Sequence, residues 1–213
     1  MEWLGRSLPM IGRLLVEHLV LSLVPVVLAL AISLVLGWLI ARTGRIANGI
    51  LAVTGTVYAI PSIALFVALP IFLGTQILDP LNIVVALTIY SVVLLNRSVV
   101  DGLRAVPAEV RQAATALGYG PTRRFFAVDL PLAMPVVLSG LRVVTVANIA
   151  MVTVGAVIGM GALGQLFSIG FNSGFLVPIV TGIVAVMALA LLADGAIVAV
   201  QRGVFGWARR GER

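Results

Sequence analysis

The chain has 213 residues, of which 61% are hydrophobic and only 10% charged, and its formal net charge is +6. A water-soluble domain of this length is nearer half apolar and a quarter charged, and its interior is too small to hide the difference, so lipid must solvate much of this surface. With no cysteine, one histidine (His18) and fourteen basic residues that are all arginine, the chain lacks the means for disulfides, zinc thiolates, a histidine metal cluster, a Ser-His-Asp triad or a Walker lysine. It reads as a membrane protein without catalysis of its own.

Residues 1–17 carry Trp3, Leu4, Leu8, Ile11, Leu14 and Leu15 at three- and four-residue spacing. That pattern predicts a short helix lying in the outer face of the membrane. The first long apolar run begins near Leu19 and exceeds the apolar core of a cleavable signal. A spanning helix needs roughly 20 mostly apolar residues. Five stretches qualify, about 19–41, 47–73, 81–100, 136–160 and 176–200. Arg42 and Arg45 follow the first stretch, and Arg104, Arg111, Arg123 and Arg124 follow the third. Arg202, Arg209, Arg210 and Arg213 follow the fifth, whereas the segments around 70–80 and 160–175 carry no basic residue. Basic loops remain cytoplasmic, which predicts an external N-terminus and a cytoplasmic C-terminus, with Arg6 and Arg13 as exceptions partly offset by Glu2 and Glu17. The positive charge is therefore a topology signal and not a nucleic-acid footprint. The organisation expected is an interfacial segment 1–17, a transmembrane domain 18–203 and a basic cytoplasmic tail 204–213.

In the second stretch Pro61 removes a backbone donor near mid-span, which predicts a kink and a freed carbonyl. Irregular backbone at that depth is tolerated beside protein or a water-filled cavity, so Pro61 and Ser62 are candidate pathway residues. Arg97 at the end of the third stretch and Arg142 in the fourth are read as snorkelling to the cytoplasmic headgroups. Asn148 is polar in an apolar run and serves either the path or an interhelical hydrogen bond. Gly155, Gly159, Gly161 and Gly164 permit close backbone approach, as a gate, a subunit interface or plain helix packing requires. Asp194, an acid in the last span, is read as partly hydrated near the cytoplasmic end.

The segment 101–135 is far longer than a turn between packed helices needs. Pro107 and Glu109 mark a helix start, and Leu117-Gly118-Tyr119-Gly120-Pro121 predicts a glycine cap and a stop. A second short helix is expected over Thr122–Val128, with Leu130-Pro131 leading back to the membrane. The whole reads as a helical knob, because a plain solvated loop would leave Leu117, Tyr119, Phe125 and Phe126 exposed.

Gln112-Ala113-Ala114, Gly118 and Val128-Asp129-Leu130-Pro131 stand at the spacing of the Glu-Ala-Ala loop of ABC importer permeases, and the segment resembles that motif. Gln112 replaces the usual glutamate, with Glu109 one turn earlier as a substitute, and Val128 replaces isoleucine. Ile60-Pro61-Ser62-Ile63-Ala64-Leu65, Gly140-Leu141-Arg142 and Ile158–Gly164 resemble the glycine betaine/carnitine/choline branch, and the likeness covers roughly residues 18–200. It implies an all-helical, MetI-like type I ABC permease fold in a prokaryotic cell membrane. It further implies docking on an ABC ATPase dimer through Glu109, Gln112, Ala113, Ala114, Gly118, Leu130 and Pro131. ATP and Mg would be bound by that ATPase. A second permease copy or a paralogue would complete the path, and an extracytoplasmic binding protein would select the substrate. Methionine importer permeases share the five-helix plan and supply the alternative substrate. An ATP-independent secondary transporter is the alternative from another class, and predicts midplane acids and repeated halves.

Overall fold

The structure, a computed structural model, describes residues 2–206, so Arg209, Arg210 and Arg213 and most of the expected tail lie outside the described residues. Helix α1 runs unbroken from Glu2 to Ala41. At 1.5 Å per residue it is about 60 Å long, roughly twice the hydrocarbon thickness. No boundary separates residues 2–17 from the span. Trp3, Met10, Ile11, Leu14 and Leu15 pack on the bundle, Leu14 in a buried cluster with Ile149, Leu163, Leu166 and Leu189 and Trp3 edge-on to Phe175 at 6.3 Å between ring centroids, whereas Leu8 is exposed.

The second span is a break rather than a kink. Helix α2 (Ala47–Gly55) ends in a 3-10 turn at Ala59, Ile60 and Pro61 are extended, and helix α3 (Ser62–Leu73) leaves at 94°. Pro61 caps α3 from outside, where its missing N–H is of no consequence and its fixed φ suits an extended entry. Helix α4 (Pro80–Arg104) shows that the broken pair still crosses. Near its C-terminal end the Arg104 guanidinium donates to the Gly44 carbonyl at 2.8 Å and to Asn48 at 2.6 Å. Midway, the Tyr90 hydroxyl donates to the Ile60 carbonyl at 2.7 Å. Near the other end, the Asn82 amide donates to Gln76 at 2.8 Å and its oxygen accepts from Thr75 at 2.6 Å. Residues 44–75 thus travel the length of a helix of about 37 Å. Among the described residues four helices are long and apolar enough to cross a membrane, and the bent pair, taken as one span, makes a fifth.

Helix α4 starts cleanly because Asp79 accepts from the Leu81 N–H at 2.9 Å and Pro80 occupies the first turn. It forms the centre, between α1 and the helix α7 (Leu130–Val152). Small residues allow the close approach: a Cβ on Gly37 would sit 2.5 Å from Val99 Cγ1, and one on Gly140 would strike Ser98. Buried polar groups tie the layers. The Ser91 hydroxyl donates to Asn148 Oδ1 at 3.1 Å, the Asn148 amide donates to the Ser22 carbonyl at 3.4 Å, and His18 Nε2–H donates to the Ile149 carbonyl at 2.9 Å.

The region expected as a Gly-rich turn at 160–175 contains structure of its own. Gly159, at φ +86, ends the preceding turn. A 3-10 turn at Ala162–Gly164 then leads into helix α8 (Gln165–Ser173), which folds back on the last helix, α9 (Leu176–Val204). The apolar content of Leu166, Phe167, Ile169 and Phe171 explains why this stretch is a helix and not a loop.

Candidate functional site

Two places depart from plain helix packing: a knob at the arginine-bearing end of the bundle, and the break at Pro61. The knob begins with helix α5 (Ala108–Ala116), opened by Pro107 and Glu109. It closes by a Schellman motif: the Gly118 N–H donates to the Thr115 carbonyl at 3.0 Å and the Tyr119 N–H to the Ala114 carbonyl at 3.1 Å. Gly118 takes φ +83, with nothing within 4 Å of the place a Cβ would occupy. Helix α6 (Pro121–Arg124) follows after Gly120, with Arg123 stacked over Tyr119 at 4.5 Å.

The expected separate helix over Thr122–Val128 is not formed. α6 passes through a π-helical turn, Phe125–Asp129, straight into α7, so that Pro121 to Ile158 is one long helical run. The Leu130 N–H reaches back to the Phe125 carbonyl. Widening the turn in this way accommodates Pro131, which has no N–H for an i−4 carbonyl and whose ring would crowd it. Leu130 and Pro131 therefore mark a widened turn within a helix and not a return loop.

Asp129 holds the knob together. Its carboxylate is nearly buried and accepts from Arg111 Nε at 3.2 Å and from Arg124 Nε at 3.4 Å. Arg111 also donates to the Leu103 carbonyl at the end of α4, and Arg124 donates to Thr115 at 3.1 Å. Phe125 is buried against Trp38 at 5.2 Å between centroids. The result is a rigid projection whose tip carries Leu117, 79% exposed, and Phe126, 64% exposed. Gln112 and Ala113 are exposed on α5, Ala114 is buried beneath it, and Glu109 is exposed one turn earlier. Among the described residues neither Gln112 nor Glu109 carries a recorded side-chain partner. Sequence reasoning passed over Asp129, because its position in the motif accepts any residue; Arg124 and Arg111, five and eighteen residues upstream, were the available signal.

At the break, Pro61 is exposed and Ser62 half-buried. Asn148 lies at the same height, since Ile60 and Asn148 hang on the consecutive residues Tyr90 and Ser91, but its side chain is buried within the chain and both ends of its amide are engaged. Gly155 is buried where a Cβ would meet Ile83 at 2.9 Å and the Met160 carbonyl at 3.1 Å, and Gly159 is the left-handed residue of a Schellman turn.

Arg142 and Asp194 have a partner that their sequence neighbourhoods do not announce: each other. They form a two-pronged pair between α7 and α9, Nε to Oδ1 at 2.6 Å and Nη2 to Oδ2 at 2.8 Å, and both side chains stay partly exposed. A charge in an apolar span finds the opposite charge sooner than the headgroups when a neighbouring helix presents it.

The family model for the binding-protein-dependent transport system inner membrane component matches residues 29–206. The choline transport system permease protein OpuBB of Bacillus subtilis (strain 168) is 30% identical over 87% of this chain and 84% of its own length. The osmoprotectant import permease protein OsmW of Salmonella typhimurium is 33% identical over 86% of each chain. Among solved structures, an inward-facing form of the MetNI methionine ABC transporter has a chain that superposes with a TM-score of 0.79 at 23% identity, covering 92% of this chain and 98% of that one.

Proposed function

This chain belongs to the family of binding-protein-dependent transport system inner membrane components, and we propose that it is the permease subunit of an ATP-driven importer for a small osmoprotectant such as choline, glycine betaine or carnitine. The observation that carries the reading is the braced knob, with an apolar tip presented to solvent beside a stiff ion-pair clamp. Exposed large apolar side chains on a rigid mount are the anatomy of a docking element. The partner fitted to it is the ATPase subunit, which binds ATP and Mg. Glu109, Gln112, Ala113 and Gly118 face that partner, while Ala114, Leu130 and Pro131 shape the mount. The arginine-rich end is the cytoplasmic one.

The choice of substrate rests on relatives at 30% and 33% identity, matched over 84% and 86% of their own lengths. The methionine transporter's likeness is one of fold. Two copies, or this chain and a paralogue, enclose the path, and a separate binding protein delivers the substrate. The path passes the break at Pro61 and Ser62, where backbone is irregular and partly open. Asn148 braces α4 against α7 beside it, and Gly155 and Gly159 shape its outer end.

The experiment is uptake of labelled choline and glycine betaine by proteoliposomes carrying this chain, its ATPase and the binding protein, with and without ATP. ATP-dependent uptake of either supports the reading; uptake of methionine alone replaces it. Ser62→Trp should cut uptake at least tenfold with the ATPase still bound, and normal uptake by that variant removes Ser62 from the path.

A further inference from the structure

The Arg142–Asp194 pair sits where a structural pair is hard to explain. Lower on the same two helices the Gln201 amide donates to the Pro135 carbonyl at 3.3 Å, beside Arg202 at the basic end. Seven residues separate Pro135 from Arg142 on α7, and seven separate Asp194 from Gln201 on α9. Seven residues of helix rise about 10 Å, so the pair is held about 10 Å further from the basic end than the Gln201–Pro135 contact. It is not closed inside the bundle: the side chains are 38% and 28% exposed. They line a groove of about 560 Å³ with Ser139, Val143, Val146 and Ala147. A charged pair open to hydrocarbon at that depth is costly even when each member neutralises the other. Water or a substrate-bearing cavity is the neighbour that relieves the cost.

We propose that this groove is a wall of the translocation path and that Arg142 and Asp194 form a transit station for the charged ends of a zwitterionic or cationic substrate, a proposal that rests on the transport function above. The chemistry fits in three respects. The bidentate contact uses Nε and Nη2 of Arg142, which leaves Nη1 to meet a substrate carboxylate. The Asp194 carboxylate stays partly exposed, so its charge can attract a quaternary ammonium group, which has no N–H to donate. The pair as a whole is neutral, so it attracts a dipolar solute weakly and lets it leave, as a conducting site must. An unpaired acid would retain a cation, and an unpaired arginine would repel it.

The test uses substrate preference, which a purely structural pair would not alter. In proteoliposomes of the complete transporter, glycine betaine and choline uptake are measured for wild type, Arg142→Gln, Asp194→Asn and the double variant. Arg142→Gln leaves a lone carboxylate and should raise the choline to glycine betaine ratio about fivefold, the factor that one charge makes at about 4 Å in water. Asp194→Asn should lower the ratio by about the same factor, and the double variant should return it near the wild-type value. Val143→Cys, in a chain with no native cysteine, should react with a small water-soluble thiol reagent and be protected by glycine betaine. Equal losses for both substrates in the single variants, or a Val143→Cys that stays unlabelled, overturn the station. Absence of uptake of both substrates by the wild-type complex instead overturns the transport reading on which it rests.

Discussion

Asp129→Ala removes the clamp of the knob without touching its exposed tip. The carboxylate side chain is 8% exposed, and its two arginine partners are 33% and 30% exposed. A hydrogen bond to a charged group contributes about 1.5–3 kcal/mol. Contacts at 3.2 and 3.4 Å between a buried acid and partly hydrated arginines belong at or below the lower end of that range. Two such bonds give about 2–3 kcal/mol for holding α5 and α6 against α7, or roughly 30- to 150-fold in the closed-to-open ratio. The variant also leaves Arg111 and Arg124 facing each other, with Arg42 lining the same cavity of about 290 Å³. Hydrogen exchange of the α5 amides in the purified transporter should accelerate by that factor while the α4 amides hold, because the opening is local. ATP turnover stimulated by the binding protein should fall in parallel. Unchanged α5 exchange together with unchanged turnover would refute the clamp.

At Gly118 nothing lies within 4 Å of an added Cβ, and φ is +83, so the isolated chain feels only backbone strain, about 1 kcal/mol for alanine and less for asparagine or aspartate. Gly118→Ala and Gly118→Asp should therefore both insert in the membrane, but the aspartate should abolish co-purification with the ATPase by placing an unpaired charge in the contact; co-purification and coupled ATP turnover at wild-type levels in both would move the docking surface elsewhere. For orientation, Thr122→Cys and Ser173→Cys are both on exposed positions. An impermeant thiol reagent on intact cells should label the second and spare the first, and the opposite pattern would invert the topology.

What was legible in the sequence followed from local rules. Spans announce themselves by length and apolarity, and the knob by proline, glycine and small residues at fixed offsets. The left-handed Gly118 was readable because a Schellman ending needs only neighbours in sequence. The features that escaped involve partners far apart. Arg142 and Asp194 are 52 residues apart, and nothing in either neighbourhood announces the other. Pro61 predicts a kink where the structure has a 94° break; the two differ only in whether the helix resumes on the same axis, and the anchoring of Ile60 to Tyr90 is not visible in the local sequence. Leu130-Pro131 reads locally as the return from a loop, and the π turn that absorbs Pro131 has no composition of its own. The stretch 2–17 is amphipathic whether it lies on lipid or on protein, and here Trp3, Met10, Ile11, Leu14 and Leu15 pack on the bundle.

The rungs along α4 bear on how movement spreads. Arg104, Tyr90 and Asn82 fasten the broken span to one helix at its bottom, middle and top, so the 94° break does not act as a free joint. The knob is fastened to the same helix through Arg111 on the Leu103 carbonyl and to α7 through Asp129. A partner pressing on Leu117 and Phe126 thus pushes a lever with two arms. One arm runs up α4 and carries the backbone around Pro61 with it; the other runs up α7 to Arg142. The two arms touch again where Ser91 meets Asn148, so a tilt of one relative to the other is felt first at that hydrogen bond.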